Sequence, residues 1–444
     1  MIPRIIVAGT SSGCGKTTVA SGLLAALRAR GRAVQGFKVG PDFIDPGYHA
    51  LATGRPGRNL DAFLSGPDLI APLFAHGAAG AEIAVIEGVM GLFDGVSGRG
   101  ELASTAHVAK LLRAPVLLVV DAAAMARSVA AIVHGYRDLD RDVPVAGVVL
   151  NRVGSDWHEE LLREALAPIG LPVVGALRRD DRVTVPERHL GLVPVAERAS
   201  QARAALDALA ALVAERLDLD AVEALAAAAP PLDVEPWSPG EARPARAVVA
   251  VAGGPAFGFR YQENLELLRA AGSEVVDVDP LVDEALPAGC GALVLPGGFP
   301  ETHAEGLSAN AALRAQVAAF ARAGRPMLAE CGGLLYLCAE LDGLPMCGVL
   351  PATGAMSGRL TLGYREATAA TASAVWREGE AVRGHEFHHS AVTPVAGAAP
   401  AWRLEARGRS REEGFVAGGV HASYLHTQWA ATPAVAERLV EAAE

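Results

Sequence analysis

The stretch "RIIVAGTSSGCGKTTVASGLLAALRAR", Arg4 to Arg30, runs from an unbroken apolar segment through a glycine-rich loop into text with helical spacing. Strand, loop and helix in that order form a cradle for nucleotide phosphates. The backbone N–H groups of Gly13, Cys14 and Gly15 and the positive end of a helix opening at Lys16, Thr17 and Thr18 face the anion. Lys16 would reach the terminal phosphates, and the Thr17 hydroxyl would ligate Mg²⁺. The spacing departs from the usual one, because the first glycine would fall at Thr10 and stands instead at Gly9.

The pattern continues outward from this loop. Strand-like runs follow at "AVQGFKVG", "EIAVIEGV", "APVLLVVDA", "VPVAGVVLNRV" and "LPVVGAL", with helical segments such as "ASTAHVAKLLR" between most of them. Continuous Val/Ile/Leu strands alternating with helices predict an α/β fold: a mainly parallel sheet covered by helices on both faces. Around Ala229 the text changes to "PPLDVEPWSPGEARPAR", rich in proline and without helical period. A second α/β pattern then begins. The expected organisation is a nucleotide-binding domain over 1–228, a linker over 229–245 and a second domain over 246–444.

Composition bounds what such a chain can do. Its 444 residues suit two domains, and 51% apolar with 20% charged residues is ordinary for a globular protein. A net charge of −11 argues against a general nucleic-acid binder, and no apolar stretch is long enough to span a bilayer. No secretory signal is evident at the N-terminus. The five cysteines (Cys14, Cys290, Cys331, Cys338 and Cys347) make an odd set without a CxxC pair, so reduced thiols in a cytoplasmic protein are expected.

Carboxylates gather at the expected strand ends, where open α/β sheets place ligands. "FKVGPDFIDPGY" puts Lys38, Asp42 and Asp45 on a stiff loop, and "VIEGVMGLFDG" presents Glu87 and then Asp94. Such groups bind Mg²⁺ or orient a substrate, the plain alternative being a solvated turn. Asp121 in "LLVVDA" competes for the same role, although a lone strand-end aspartate is more often a cap.

In the second half, "RPMLAECGGLLYL" reads strand, tight turn, helix, with Cys331 at the turn. This is the geometry of a nucleophile elbow, and the helix N-terminus favours thiolate. "LVLPGGFPE" ends another strand in two glycines, so the N–H groups of Gly298 and Gly332 are candidates for an oxyanion hole. A cysteine needs a base, and "GGVHASYLHTQW" offers His421 and His426, of which His426 ends a strand-like run. "HEFHH", His385 to His389, matches the HExxH zinc pattern. Its setting reads as strand and turn, however, and on a strand the two histidines lie roughly 13 Å apart, too far to share one metal.

The loop form "GTxxxxGKT" resembles that of dethiobiotin synthetase and its relatives, while partitioning ATPases carry an early lysine where this chain has Ser11. The second half resembles a class I glutamine amidotransferase domain. Taken in order, "GTSSGCGKTT", "KVGPDFIDP", "EGVMGLFDG", "LPGGFPE", "ECGGLLYL", "GHEFHHS" and "YLHTQW" are similar over essentially the full chain to the cobyrinic acid a,c-diamide synthase family, including its hydrogenobyrinic acid version.

The resemblance implies an ATP- and glutamine-dependent amidation of two acetate groups on a corrin-type macrocycle. ATP would phosphorylate a carboxylate, with Lys16 and Lys38 on the phosphates and Mg²⁺ held by Thr17, Asp42 and Glu87. Asp45 and Asp94 would position substrate or ammonia, and Asn151 in "VVLNRV" would recognise adenine. Cys331 and His426 would release ammonia from glutamine. The usual glutamate two residues past the histidine is Gln428 here, which leaves Cys331–His426 as a dyad. The alternatives are the same chemistry on another tetrapyrrole acid such as nickel sirohydrochlorin, a partitioning-type ATPase with a degenerate amidotransferase domain, and a cobyric acid synthase. No nucleic-acid or membrane partner is expected, and a homodimer stays open.

Overall fold

The computed structural model describes residues 2–178, 187–188, 191–192, 195, 199–406 and 409–444. The chain divides into two units, Met1–Trp237 and Ser238–Glu444. The division falls inside the proline-rich stretch, because the start of that stretch packs on the first unit: Trp237 donates its N–H to Pro72 O (2.9 Å) and meets His76 edge-on.

The first unit is built on seven parallel strands: β1 (Arg4–Gly9), β2 (Val34–Val39), β3 (Arg58–Leu60), β4 (Ile83–Glu87), β5 (Val116–Asp121), β6 (Val145–Val153) and β7 (Val173–Arg178). Their order is β3-β2-β4-β1-β5-β6-β7. β1, β2 and β4 are buried at every position, which is why β1 and β4 are nearly unbroken apolar runs, while the buried Gln35 and Lys38 of β2 are both partnered. The chain leaving β1 returns to the sheet on one side at β2, while the chain leaving β4 returns on the other side at β5. The loops after β1 and β4 therefore diverge and open a crevice at the carboxyl end of the sheet. Helix α1 (Lys16–Ala29) starts directly from the phosphate loop, with Gly15 at its N-cap in the left-handed region (φ 102°). Helix α2 (Asp45–Thr53) follows β2.

The second unit carries a six-stranded sheet in the order Ser273–Val278, Ala247–Ala252, Cys290–Leu295, Met327–Glu330, Val420–Ser423, Phe415–Ala417. All pairings are parallel except the last. A second sheet centres on a long antiparallel pair, Thr353–Ala369 with Ala381–Thr393. Its edge strand is His426–Thr427, which pairs Gly384 with Thr427 and His385 with His426. Among the described residues, no helix is long and apolar enough to cross a membrane.

Candidate active sites

In the first unit the phosphate loop closes tightly on itself. A Cβ at Gly9 would lie 2.3 Å from Cys14 Sγ and 2.8 Å from Lys16 Cγ, so the strand must end in glycine there, one position before Thr10. Gly13 also adopts positive φ (75°). Lys16 Nζ donates to Ser11 O across the mouth of the loop (2.9 Å), and burial lowers its pKa. Asn151 is committed to the loop: its Nδ2 donates to Cys14 O (2.9 Å), and a Cβ at Gly15 would collide with it at 2.0 Å. The segment after β4 packs alongside, with Leu92 N–H donating to Gly9 O (2.9 Å). Within that segment Asp94 is exposed and accepts from Gly91 N–H (2.9 Å).

Behind the loop lies a buried cluster of charges. β2 and β4 pair in register at Lys38 and Glu87. Lys38 Nζ sits 2.8 Å from Glu87 Oε1 and 2.6 Å from Asp45 Oδ2. Glu87, with no exposed surface, also accepts from the Thr17 hydroxyl at Oε1 (2.5 Å) and meets His49 Nε2 at Oε2 (2.8 Å). Burial opposes charge on Glu87, but Lys38 and His49 outweigh it and hold the carboxyl below its ordinary range. Burial likewise opposes charge on Lys38, and the carboxylates of Asp45, Glu87 and Asp42 reverse the effect and raise it. For Asp45, burial and the neighbouring carboxylates Asp42 and Glu87 push the pKa up. The two expected loop carboxylates have separate local roles. Asp42 Oδ1 caps α2, accepting from the N–H groups of Ile44 (2.8 Å) and Asp45 (2.9 Å), whereas Asp45 opens the helix. His49 escaped the sequence reading, although its i,i+4 spacing from Asp45 on α2 is the signal that places both on one face. Asp121 lies apart in an ion pair with Arg152.

Thr17 and Glu87 suit Mg²⁺, which takes one or two protein oxygens and completes its shell with phosphates and water. Among the described residues, no group of three or more His, Cys, Asp or Glu side chains is arranged to hold a metal by itself. The HExxH stretch lies on the strand Ala381–Thr393 and not on a helix.

In the second unit Cys331 stands at the strand-to-helix turn with φ 49° and ψ −99°, a strained conformation for a non-glycine residue. The glycines around it are required by close approach. A Cβ at Gly298 would lie 2.0 Å from Ala256 O, and one at Gly332 would lie 3.0 Å from Gly298 N. Gly332 is thereby packed against the Gly298 amide. Gly297 packs against His426, where a Cβ would lie 2.3 Å from the ring Cε1. Cys331 N–H donates to Ser423 O (2.7 Å), and its thiol faces Phe387 O at 3.9 Å.

The "GHEFHHS" segment contributes to this site. His385 stacks on His426 with ring centroids 4.8 Å apart, and its Nε2 meets Tyr261 OH at 3.0 Å. Glu386 is buried between Arg365 (2.5 Å) and Arg411. His388 stacks on Tyr424. Burial lowers His426 to about 3, helped by His388, and burial pushes the Cys331 thiol well above its usual value, with Glu301 adding to the effect. At rest, both groups are neutral. His421, also lowered to about 3 by burial, packs edge-on against Trp402. Glu330, next to the nucleophile, also went unread. It accepts at Oε1 from the Thr427 hydroxyl (2.6 Å) and N–H (3.1 Å), and its Oε2 lies 4.0 Å from His426 Nδ1.

A phosphate loop backed by a buried carboxylate, with a cysteine elbow and histidine on the same chain, defines a glutamine-dependent amide-forming ligase. Residues 5–193 match the CobQ/CobB/MinD/ParA nucleotide binding domain, and residues 248–434 match the CobB/CobQ-like glutamine amidotransferase domain. The chain is 58% identical to hydrogenobyrinate a,c-diamide synthase of Streptomyces coelicolor, over 99% of this chain and 97% of that one. It is 51% identical to the enzyme of the same name from Thermobifida fusca, over 100% and 97%. Cobyrinate a,c-diamide synthase of a Synechococcus species is 43% identical, over 99% and 98%. The chain belongs to the cobyrinate/hydrogenobyrinate a,c-diamide synthase family.

Proposed function

We propose that this enzyme converts the a- and c-acetate groups of hydrogenobyrinate to amides, spending ATP on each and drawing nitrogen from glutamine. The observation that carries the reading is an intact phosphate cradle and an intact cysteine elbow on one chain. The metal-free macrocycle is preferred over cobyrinate because relatives named for it stand at 58, 52 and 51% identity, against 43 to 44% for those named for cobyrinate.

A carboxylate is a poor electrophile, so the first unit transfers the ATP γ-phosphoryl group to it and makes an acyl phosphate. Lys16 swings from Ser11 O to the phosphates, joined by the N–H groups of Gly13, Cys14, Gly15, Thr17 and Thr18. Asn151, which holds the loop through Cys14 O, is also placed in the role of recognising the adenine base. Thr17 and Glu87, with Asp42 nearby, would hold Mg²⁺, which would supply neutralisation of charge on the phosphates. Lys38 keeps Glu87 charged and holds Asp45 in place, while Asp45 and Asp94 position the acceptor or the ammonia. In the second unit His426 takes the proton of Cys331 as sulfur attacks the glutamine amide carbon. The N–H groups of Gly298 and Gly332 receive the oxyanion, ammonia leaves, and water later releases glutamate. A reducing cytoplasm suits the five free cysteines. A homodimer is the assembly to test by sedimentation.

Cys331→Ala decides the two-site division. Amidation with glutamine is expected to vanish while amidation with ammonium persists; loss of both or of neither would sink it. Mass spectrometry on hydrogenobyrinate and cobyrinate should show two successive amidations, faster on the former.

A further inference from the structure

We propose that Glu330 is the positioning residue for His426, filling with a carboxylate from the elbow the place that Gln428 leaves vacant in the usual arrangement. The inference rests on the glutaminase reading of the Cys331 site. Gln428 itself is buried, and neither its Oε1 nor its Nε2 has a hydrogen-bond partner among the described residues. Nothing there orients an imidazole. Glu330, by contrast, is held from one side and aimed from the other. Thr427 donates twice to Oε1, which fixes the carboxyl group and leaves Oε2 4.0 Å from His426 Nδ1. A closure of about 1 Å makes that separation an ordinary hydrogen bond, the kind of tightening that accompanies substrate binding.

The donor set argues for charge. A glutamine amide oxygen at position 330 would accept both Thr427 bonds equally well, so anchoring alone does not need a carboxyl group. Placing one here is costly: burial pushes Glu330 up to about 7, against the two Thr427 bonds that lower it. Among the described residues, the ionisable groups it meets are His426 and Cys331, with Arg260 and Tyr261 across the small cavity that Glu330 lines; His385, stacked on His426, and Glu386 and His388 act on that ring from the other strand. Arg260 is engaged by Asp277. When His426 takes the thiol proton at Nε2, its Nδ1–H faces Glu330, and a carboxylate there stabilises the imidazolium.

Glu330→Gln tests this, with Cys331→Ala and Glu330→Asp alongside. Glutamine-dependent kcat in E330Q should fall by about 10²- to 10⁴-fold, with KM for glutamine within a few-fold and ammonium-dependent amidation unchanged. Wild-type glutaminase should lose activity as pH drops below about 7, as Glu330 protonates. That acid limb should disappear in E330Q. A purely anchoring role leaves kcat within threefold and the limb in place, and would overturn the proposal. Should E330Q lose both activities, E330D decides: recovery of at least tenfold in glutaminase with an acid limb supports the role, and none refutes it. If C331A keeps glutamine-dependent activity, the glutaminase reading itself fails; if C331A loses it and E330Q does not, only the role of Glu330 fails.

Discussion

Gly297→Ala puts the geometry of the glutaminase base under direct test. The added Cβ would lie 2.3 Å from Cε1, 3.1 Å from Nδ1 and 3.3 Å from Nε2 of His426. Carbon atoms in contact sit at about 3.5–4.0 Å, so ring and backbone must separate by at least about 1.2 Å. The backbone resists, because Phe259 N–H donates to Gly297 O (3.0 Å), and the ring therefore takes most of the shift. His385 stacks on that ring at 4.8 Å, so His426 moves by turning out of its plane toward a less productive pose. A misplacement of about 1 Å at a reacting group costs on the order of 10²-fold in rate, or about 2.7 kcal/mol. Glutamate release and glutamine-dependent amidation should both fall about 100-fold, while ammonium-dependent amidation stays within about twofold, and overpacking should cost about 1–3 kcal/mol of stability. A folded variant whose glutaminase rate stays within about threefold of wild type would refute the placement of His426 against this loop.

Lys16→Ala should abolish amidation with either nitrogen source, by at least about 10²-fold, and weaken nucleotide binding measured by calorimetry. Lys38→Met leaves the buried carboxylates of Glu87 and Asp45 without their cation, at about 3–5 kcal/mol. Asp45, already raised by burial and by Asp42 and Glu87, then takes up a proton as pH falls, so the melting-temperature deficit should shrink on acidification; a constant deficit would count against this charge assignment. His421 is lowered from 6.5 to about 3, so its contribution to stability is present above 6.5 and is lost as pH falls toward 3. His421→Leu removes that loss and should flatten the stability–pH curve between about pH 6 and 4 by about 1.4 kcal/mol per pH unit, read from denaturant unfolding.

What the sequence showed, and what it hid, follows sequence distance. The phosphate loop is legible because its strand, glycines, Lys16 and Thr17 lie within one local motif, and the Cys331 elbow is legible for the same reason. β3 is three residues long and carries no alternation, so no period reveals it. The hairpin pairing Thr353–Ala369 with Ala381–Thr393 is interrupted by glycines and a register shift near Met356, which blurs its pattern. His385 stacked on His426 is a consequence of strand register 41 positions apart in number, and no local pattern encodes it. Asn151 is a mixed case. Its position at a strand end suggested a base-recognition role, which local text can carry, while the bond of its amide to Cys14 O arises because the end of β6 lies beside the phosphate loop, and no local pattern encodes that.

The elbow gains a further meaning from its neighbours in sequence. Glu330, Cys331 and Gly332 are consecutive, and in the proposed reading they supply the orienting carboxylate, the nucleophile and one oxyanion donor. A regular strand would send adjacent side chains to opposite faces and keep these groups apart. The positive φ of Cys331 breaks that alternation: the thiol turns toward Phe387 O, Glu330 stays under Thr427, and Gly332 packs against the Gly298 amide. The site is buried, so a thiolate–imidazolium pair formed there must be stabilised by groups already in place. Gly332 N–H lowers the thiol against its burial, and in the proposed reading Glu330 answers the imidazolium. Because one strained tripeptide positions both, a change at any of its three residues should be felt in kcat for glutamine rather than in its binding.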